Sequence, residues 1–267
     1  MRQVRNGLLA EIRRKIDNLD RHLSPRHILK KNKIIKTEIL KAAQYQSFKI
    51  ENPHIGSTYS VPRNHNRSSI KRGIKNIENA FRFGQRVFSS GTIDEDLIKG
   101  IAGRILPDVY LGEPASYRTS EVRIVGAQTS PPDPYRVRGT EMPWLMDNLN
   151  RKLSSPDKID QILAAFFAHY HLVRIHPFVD GNGRTSRTLQ DVILNKNMIP
   201  PPIVESGERY TYFDFLDKAD IGWKSQNSVL RSEFNGVTSG EQDFYTFMAG
   251  KLNASLDKVI YSISNQR

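Results

Sequence analysis

With 267 residues, 38% of them apolar, the chain can bury a sizeable core, and its lack of cysteine excludes both a disulfide scaffold and a thiolate metal site. No apolar run approaches the roughly 18 residues a spanning helix needs, so no membrane partner is expected. The net charge of +12 is uneven: residues 1–80 hold 18 Lys and Arg against 6 Asp and Glu, while the rest of the chain holds 22 of each. This basic N-terminal third could steer an acidic partner or a nucleic acid. Such steering is screened within about 8–10 Å at physiological salt, so a solvated basic surface is the simpler reading and nucleic acid is not the expected partner.

In chain order, Val4, Leu8, Ile12, Ile16, Leu19 and Leu23 recur at helical spacing and predict a helix over residues 4–23. Charges interrupt these residues, unlike the apolar core of a signal peptide, so a cytoplasmic location is expected, with secretion through a dedicated receptor left open. Ser24-Pro25 breaks the helix, and Lys30-Lys31-Asn32-Lys33 reads as a basic surface. Thr37 is a good N-cap for a second helix that runs through Glu51 and stops at Asn52-Pro53. Ser47 and Glu51 are four apart and share a face of it. A loop at residues 53–66 precedes core-facing helices opening at Ser68 or Ser69 and at Thr92.

Residues 111–135 change character. Ser116 to Val125 is rich in β-branched and aromatic residues, then come Gly126 and the turn-rich Ser130-Pro131-Pro132-Asp133-Pro134. This pattern predicts a short strand or hairpin on a helical body, either an edge that accepts another chain's extended segment or a passive connector. Helices follow at residues 143–153 and from Ser155-Pro156-Asp157 to His176, the latter apolar enough to be central in a bundle. Further helices are expected at about 183–195, 209–219, 224–234 and 241–263. The fold class is mainly α with one small β element.

The stretch from His176 to Arg187 carries the chemistry. A histidine is a titratable base and Asp180 a hard oxygen ligand suited to Mg²⁺. Gly181-Asn182-Gly183 forms a small-residue turn into a helix N-terminus, where unpartnered N–H groups and the positive dipole end favour phosphate. Arg184 and Arg187 lie three apart, on one side of that helix. Each element alone is a common structural feature. Their joint order points to a nucleotide-phosphate site.

His176, Phe178, Asp180, Gly181, Asn182, Gly183, Arg184 and Arg187 meet all eight fixed positions of the Fic family signature, which this chain resembles. The resemblance covers about residues 37–255. It implies a Fic-type helical bundle with a small β-hairpin flap beside the active site, preceded by a basic helical arm at residues 1–36. Within a domain at residues 37–265 it places an inhibitory helix at about 37–52 and a catalytic core at about 92–235. The implied activity is protein adenylylation, in which AMP moves from ATP to a Ser, Thr or Tyr hydroxyl of a target. His176 would act as base, Asp180 would hold Mg²⁺, and Gly181, Asn182 and Gly183 would form the anion hole. Arg184 and Arg187 would pair with the β- and γ-phosphates, and Phe178 would anchor the loop.

Ser47-Phe48-Lys49-Ile50-Glu51-Asn52 also resembles the family's inhibitory motif, which implies that Glu51 pairs with Arg187 in place of the γ-phosphate. By the same resemblance Val125, Gly126, Ala127 and Gln128 match the flap that borders the nucleotide and docks the target. Tyr212 matches an adenine neighbour, while Phe213 and Asp220 depart from the family pattern. Expected partners are thus ATP, Mg²⁺ and a hydroxyl-bearing protein, with self-modification and a homo-oligomer also open. Two alternatives stand beside adenylylation. One is the same scaffold removing AMP or transferring another phosphate-linked group; the other is a basic binding module with a vestigial site.

Overall fold

The helices follow from runs of good helix formers punctuated by caps. A computed structural model describes residues 6–22, 26–52, 67–88, 91–124, 126–227 and 237–265. They form α1 (Asn6–His22), α2 (Arg26–Glu51), α3 (Arg67–Val87), α4 (Glu95–Ile105), α5 (Pro134–Arg136), α6 (Met142–Leu153), α7 (Lys158–Ile175), α8 (Asn182–Lys196), α9 (Arg209–Asn227) and α10 (Ser239–Ser264). A π-helical turn, Val137–Glu141, leads from α5 into α6. None of the described helices is long and apolar enough to cross a membrane.

Contacts divide the chain into two units. One contains residues 44–125 and 130–197, and the other residues 1–43, 126–129 and 198–267.

In the first unit α7 is the axis. It is buried nearly all round, by Ile162, Ala164, Phe166, Ala168, Tyr170 and Leu172 among others, as a helix at the centre of a bundle must be. Asp157 caps it, accepting from the Ile159 and Asp160 N–H groups at 2.8 and 3.2 Å. The cap expected at Ser155 is therefore displaced by two residues, and the Ser155 hydroxyl donates to Asp160 instead (2.6 Å). Helices α6 and α8 pack on α7, and α3 packs on α4 and α8. Gly84 of α3 is a contact point, because a Cβ there would lie 2.6 Å from a Val192 methyl of α8. Helix α4 is capped by Asp94, which accepts from the Leu97 N–H (2.8 Å), rather than opening at Thr92.

In the second unit α10 packs on α9 and α1. Thr238 and Glu241 form a reciprocal capping box at its start. Lys15 of α1 reaches Asn253 (2.8 Å) and Asp257 (2.6 Å) of α10, flanking an apolar seam that includes Ile12, Ile16, Leu252 and Leu256.

Three expectations change. Helix α2 begins at Arg26, so Thr37 is interior. No Gly or Pro separates Arg26 from Asn52, and the intervening lysines are good helix formers. The expected β-hairpin is replaced by an irregular segment, since among the described residues no strand forms. An isolated two-stranded ribbon is marginal in water, and the prolines at 131, 132 and 134 remove ladder donors. The helix expected over 224–234 is the tail of α9 as far as Asn227, and the rest of it lies outside the described residues. The break at Ser24-Pro25 and the loop at 53–66 also lie outside them.

Candidate active site

The site begins where α7 ends. His176 adopts the left-handed conformation (φ 51°, ψ 57°), and its N–H donates to Leu172 O at 3.0 Å, closing the helix. The turn swings the imidazole back so that Nδ1 faces Val173 O at 3.3 Å. A carbonyl can only accept, so Nδ1 carries the proton and Nε2 keeps its lone pair for a substrate. Burial lowers the His176 pKa below 6.5, and the positive charge of Arg118 acts in the same direction. The Val173 carbonyl, Glu51 and Asp180 oppose the shift. At neutral pH the ring is therefore neutral, which is the state a base requires.

Arg118 locks the turn from outside. Its Nε donates to His176 O at 2.8 Å and another guanidinium nitrogen to Ser120 O at 3.1 Å, and it also donates to Pro132 O. The Arg118 N–H donates to Pro177 O (2.9 Å). This buried arginine escaped sequence reasoning. The signal available was a cation flanked by Tyr117 and Thr119 at the start of a strand-like stretch.

Phe178 is wholly buried against the Tyr110 and Tyr117 rings, with centroids at 6.4 and 5.8 Å. Asn182 grips the loop from inside, accepting from the Phe178 N–H (2.9 Å) and donating to Phe178 O (2.8 Å). The Asn182 side chain is thus committed to the loop, leaving its backbone N–H to a ligand. Replacing Phe178 by Ala should cost about 3–5 kcal/mol, as for other buried phenylalanines, read as a lowered urea midpoint. An unchanged midpoint would mean the ring does not anchor the loop.

Gly181, at φ 81°, turns the chain into α8 without a side-chain cap, so the first N–H groups of α8 lack intrahelical partners. Asp180 stands at this turn with its side chain 65% exposed, in contact with Arg184 at 3.4 Å. The Tyr110 hydroxyl, kept protonated by burial, donates to Asp180 O at 3.3 Å.

Helix α2 brings the other group. An Arg187 terminal nitrogen donates to Glu51 Oε1 at 2.6 Å, and the guanidinium also donates to Ser47 Oγ (2.8 Å) and Ser47 O (3.2 Å). The Arg187 side chain is 8% exposed and that of Glu51 30%, so the pair is largely shielded. A Cβ on Gly183 would collide with Glu51 Oε1, so glycine there lets the carboxylate reach the first turn of α8. Asn52 donates to Phe48 O (2.9 Å) and closes the end of α2.

Behind Arg187 lies a polar network in the core that sequence reasoning also missed. His169 Nδ1 donates to Gln190 Oε1 at 2.7 Å, and the Gln190 amide donates to Asp191 at 3.3 Å. Burial raises Asp191 from 3.8 to about 7 and lowers His169 from 6.5 to about 3. Between pH 3.8 and 7 the folded protein keeps a proton on Asp191 that the unfolded chain releases. That contribution to stability is complete below 3.8 and is lost as pH rises through about 7. His169 runs the other way: its contribution is present above 6.5 and is lost as pH falls toward 3. Asp191→Asn removes the first effect alone, so its Tm relative to the unmodified protein should rise between about pH 5 and about pH 8. Parallel Tm profiles would refute the assignment.

The remaining expected residues fall elsewhere. Gly126, Ala127 and Gln128 belong to the second unit, where Thr129 donates to Asp220 of α9. Val125 lies outside the described residues. Tyr212 is fully buried in the second unit against Phe213 and Phe244.

In this helical bundle the axial helix closes on a left-handed histidine and a second helix opens on a glycine turn, an arrangement able to receive an anion. Residues 92–194 match the model of the Fic/DOC family. A protein adenylyltransferase Fic of Nematostella vectensis is 34% identical over 132 residues, 49% of this chain and 29% of that protein. Its namesake in Drosophila melanogaster is 37% identical over 121 residues, 45% of this chain and 23% of that protein. The chain thus spans less than a third of the length of these curated relatives. Among solved structures, Fic-1 (residues 134–508) of C. elegans superposes with a TM-score of 0.72 at 24% identity, over 97% of this chain and 73% of that one. A Fic domain containing signaling protein of Bacteroides thetaiotaomicron gives 0.68 at 20% identity, over 94% and 98% of the two chains. Both show the shared fold. Ser47 and Glu51 lie outside the family-matched segment.

Proposed function

We propose that the chain is a protein adenylyltransferase held in check by its own α2. The observation that carries this reading is the pairing of Glu51 with Arg187 at the start of α8, next to a neutral histidine. The curated relatives bear the name of the activity, and the site has the groups it needs.

In the proposed reaction the oxygen of a target hydroxyl attacks the α-phosphorus of ATP. The hydroxyl proton passes to His176 Nε2 as the bond to the α-phosphorus forms. The bond from the α-phosphorus to the bridging oxygen breaks, and pyrophosphate leaves. The N–H groups of Asn182 and Gly183, at the start of α8, would face the phosphate charge that grows in the transition state, with Arg184 and Arg187 as cationic partners of the pyrophosphate portion.

Asp180 fits a hard cation: it is one exposed carboxylate with lone pairs to spare, and Mg²⁺ takes its other ligands from phosphate and water. Asp180 would hold Mg²⁺ there, supplying charge neutralisation between the phosphates. Tyr212 takes no part in this reading, since its ring is 0% exposed. Incubation with α-labelled ATP and Mg²⁺ tests the proposal. Label on protein that requires His176 supports it, and the absence of label from a Glu51→Gly variant and from all added lysate proteins refutes it.

A further inference from the structure

Outside the His176 turn, the first unit holds a cleft of about 620 Å³ lined by Lys99, Tyr117, Thr119, Pro134, Tyr135 and Arg138 among others. One wall is the segment that Arg118 ties to the His176 and Pro177 carbonyls, and Tyr117 on that wall packs its other face on Phe178. The opposite wall is the π-helical turn Val137–Glu141. Glu141 is buried in that turn, where it accepts from Arg136 and from Arg174 of α7, both at 2.9 Å. The turn is therefore fastened to the axial helix at its base while Tyr135, Arg138 and Gly139 face outward. A π turn inserted ahead of a helix recurs at functional sites because it re-aims side chains.

The charged side chains that line the cleft are cationic, while the nearby acids Glu95, Asp133 and Glu121 stand outside the lining. Lys99 and Arg118 line it along with Arg138, and no acidic residue does among the described residues. Lys99 lies over the Tyr117 ring (4.4 Å) and is paired with Glu95 at 2.6 Å, outside the lining. Arg118 spends its donors on carbonyls, with the carboxylates of Asp133 and Glu121 offsetting part of its charge from outside the lining. Arg138 is exposed, and its charge reaches the Tyr117 phenol. Tyr135, 75% exposed, supplies a ring at the rim. An aromatic trough with cationic edges suits an extended peptide carrying an acidic side chain, with aliphatic stems and rings packing its backbone.

We propose that this cleft docks an acidic segment of the protein substrate and so selects hydroxyls with Asp or Glu nearby in the chain. The identity of the segment as substrate rests on the adenylyltransferase reading, whereas the binding itself does not. The cleft adjoins the wall that fixes His176, and an extended chain advances about 3.3 Å per residue. A hydroxyl at the base and an acid in the cleft can therefore belong to one short peptide.

The test uses the full chain and two fluorescein-labelled peptides, each with a central threonine, one flanked by Asp and Glu and the other by Lys. Fluorescence anisotropy should show the acidic peptide binding at least about tenfold more tightly, with Arg138→Glu abolishing that preference and Tyr135→Ala weakening it. Both replaced side chains are exposed, and an unchanged Tm confirms their fold. Equal binding of the two peptides, or a preference that survives Arg138→Glu, overturns the proposal. So does displacement of the peptide by inorganic phosphate with no effect of Tyr135→Ala, which marks a small-anion site. Preferential binding without AMP transfer to either peptide by Glu51→Gly would retain the cleft and count against the reaction. Self-labelling by that variant without a peptide preference would do the reverse.

Discussion

A Glu51→Gly variant should label itself with AMP from α-labelled ATP roughly ten to a hundred times faster than the unmodified protein. The magnitude follows from the contact it removes. A hydrogen bond between charged groups is worth about 1.5–3 kcal/mol net, which is that range in the population of unengaged Arg187. The pair qualifies for the upper part of the range because the contact is short (2.6 Å) and the guanidinium is 8% exposed. Ser47 continues to hold Arg187 in the variant, so the arginine stays positioned while losing its competitor for phosphate. Glu51→Gln provides the graded control, since it keeps the size and an acceptor oxygen but removes the charge. If Glu51→Gly labels no faster than the unmodified protein, the inhibitory role is wrong. Removal of AMP, with Glu51 positioning water, predicts the opposite sign. The unmodified protein would then release AMP from a labelled target, and Glu51→Gly would lose that ability.

The parts of this site that are contiguous in the chain were legible in its sequence. His176 to Arg187 spans one turn and the start of one helix, so residue order alone specifies its local geometry. Glu51 and Ser47 were legible as a helix face, but only the family resemblance connected them with Arg187. Contacts across more than a hundred residues leave no local period. Arg118, Glu141 and Arg174 were missed for a related reason. Their types argue for the surface, and only the carbonyls and counter-ions brought to them by the fold make burial tolerable. His169 and Gln190 show the same thing inside apolar helices, where each satisfies the other. The strand was expected because residues 116–125 are rich in β-branched and aromatic side chains, and among the described residues none forms. A strand needs a partner, and Arg118 supplies the backbone with a different set of acceptor contacts. Thr37 was misread because a good cap residue is only a cap where the helix stops, and nothing N-terminal to it stops α2 before Arg26.

In the Glu51→Gly background, replacing His176 should lower the rate of AMP transfer by about 10²–10⁴-fold, the usual contribution of a positioned base. Alanine alone is an ambiguous substitution here. His176 sits at φ 51°, where a residue other than glycine is strained and asparagine is the better tolerated side chain. His176→Asn keeps the turn while lacking a base, so a comparable loss in both variants assigns the effect to proton transfer rather than to a collapsed loop. The pH profile gives an independent reading. Neutral imidazole is the working form, and burial holds its pKa below 6.5, so the acid limb of kcat/KM should fall below that value. Glu51 opposes the shift, and its removal should move the limb further toward acid, while charge reversal at the exposed Arg138 should leave it in place. A limb at or above 6.5, or a His176→Asn variant that keeps more than about a tenth of the rate, would require a different base. A downward displacement on deleting Glu51 would show the carboxylate acting on His176 as well as on Arg187. The same side chain would then restrain the arginine that receives phosphate and tune the histidine that receives the proton.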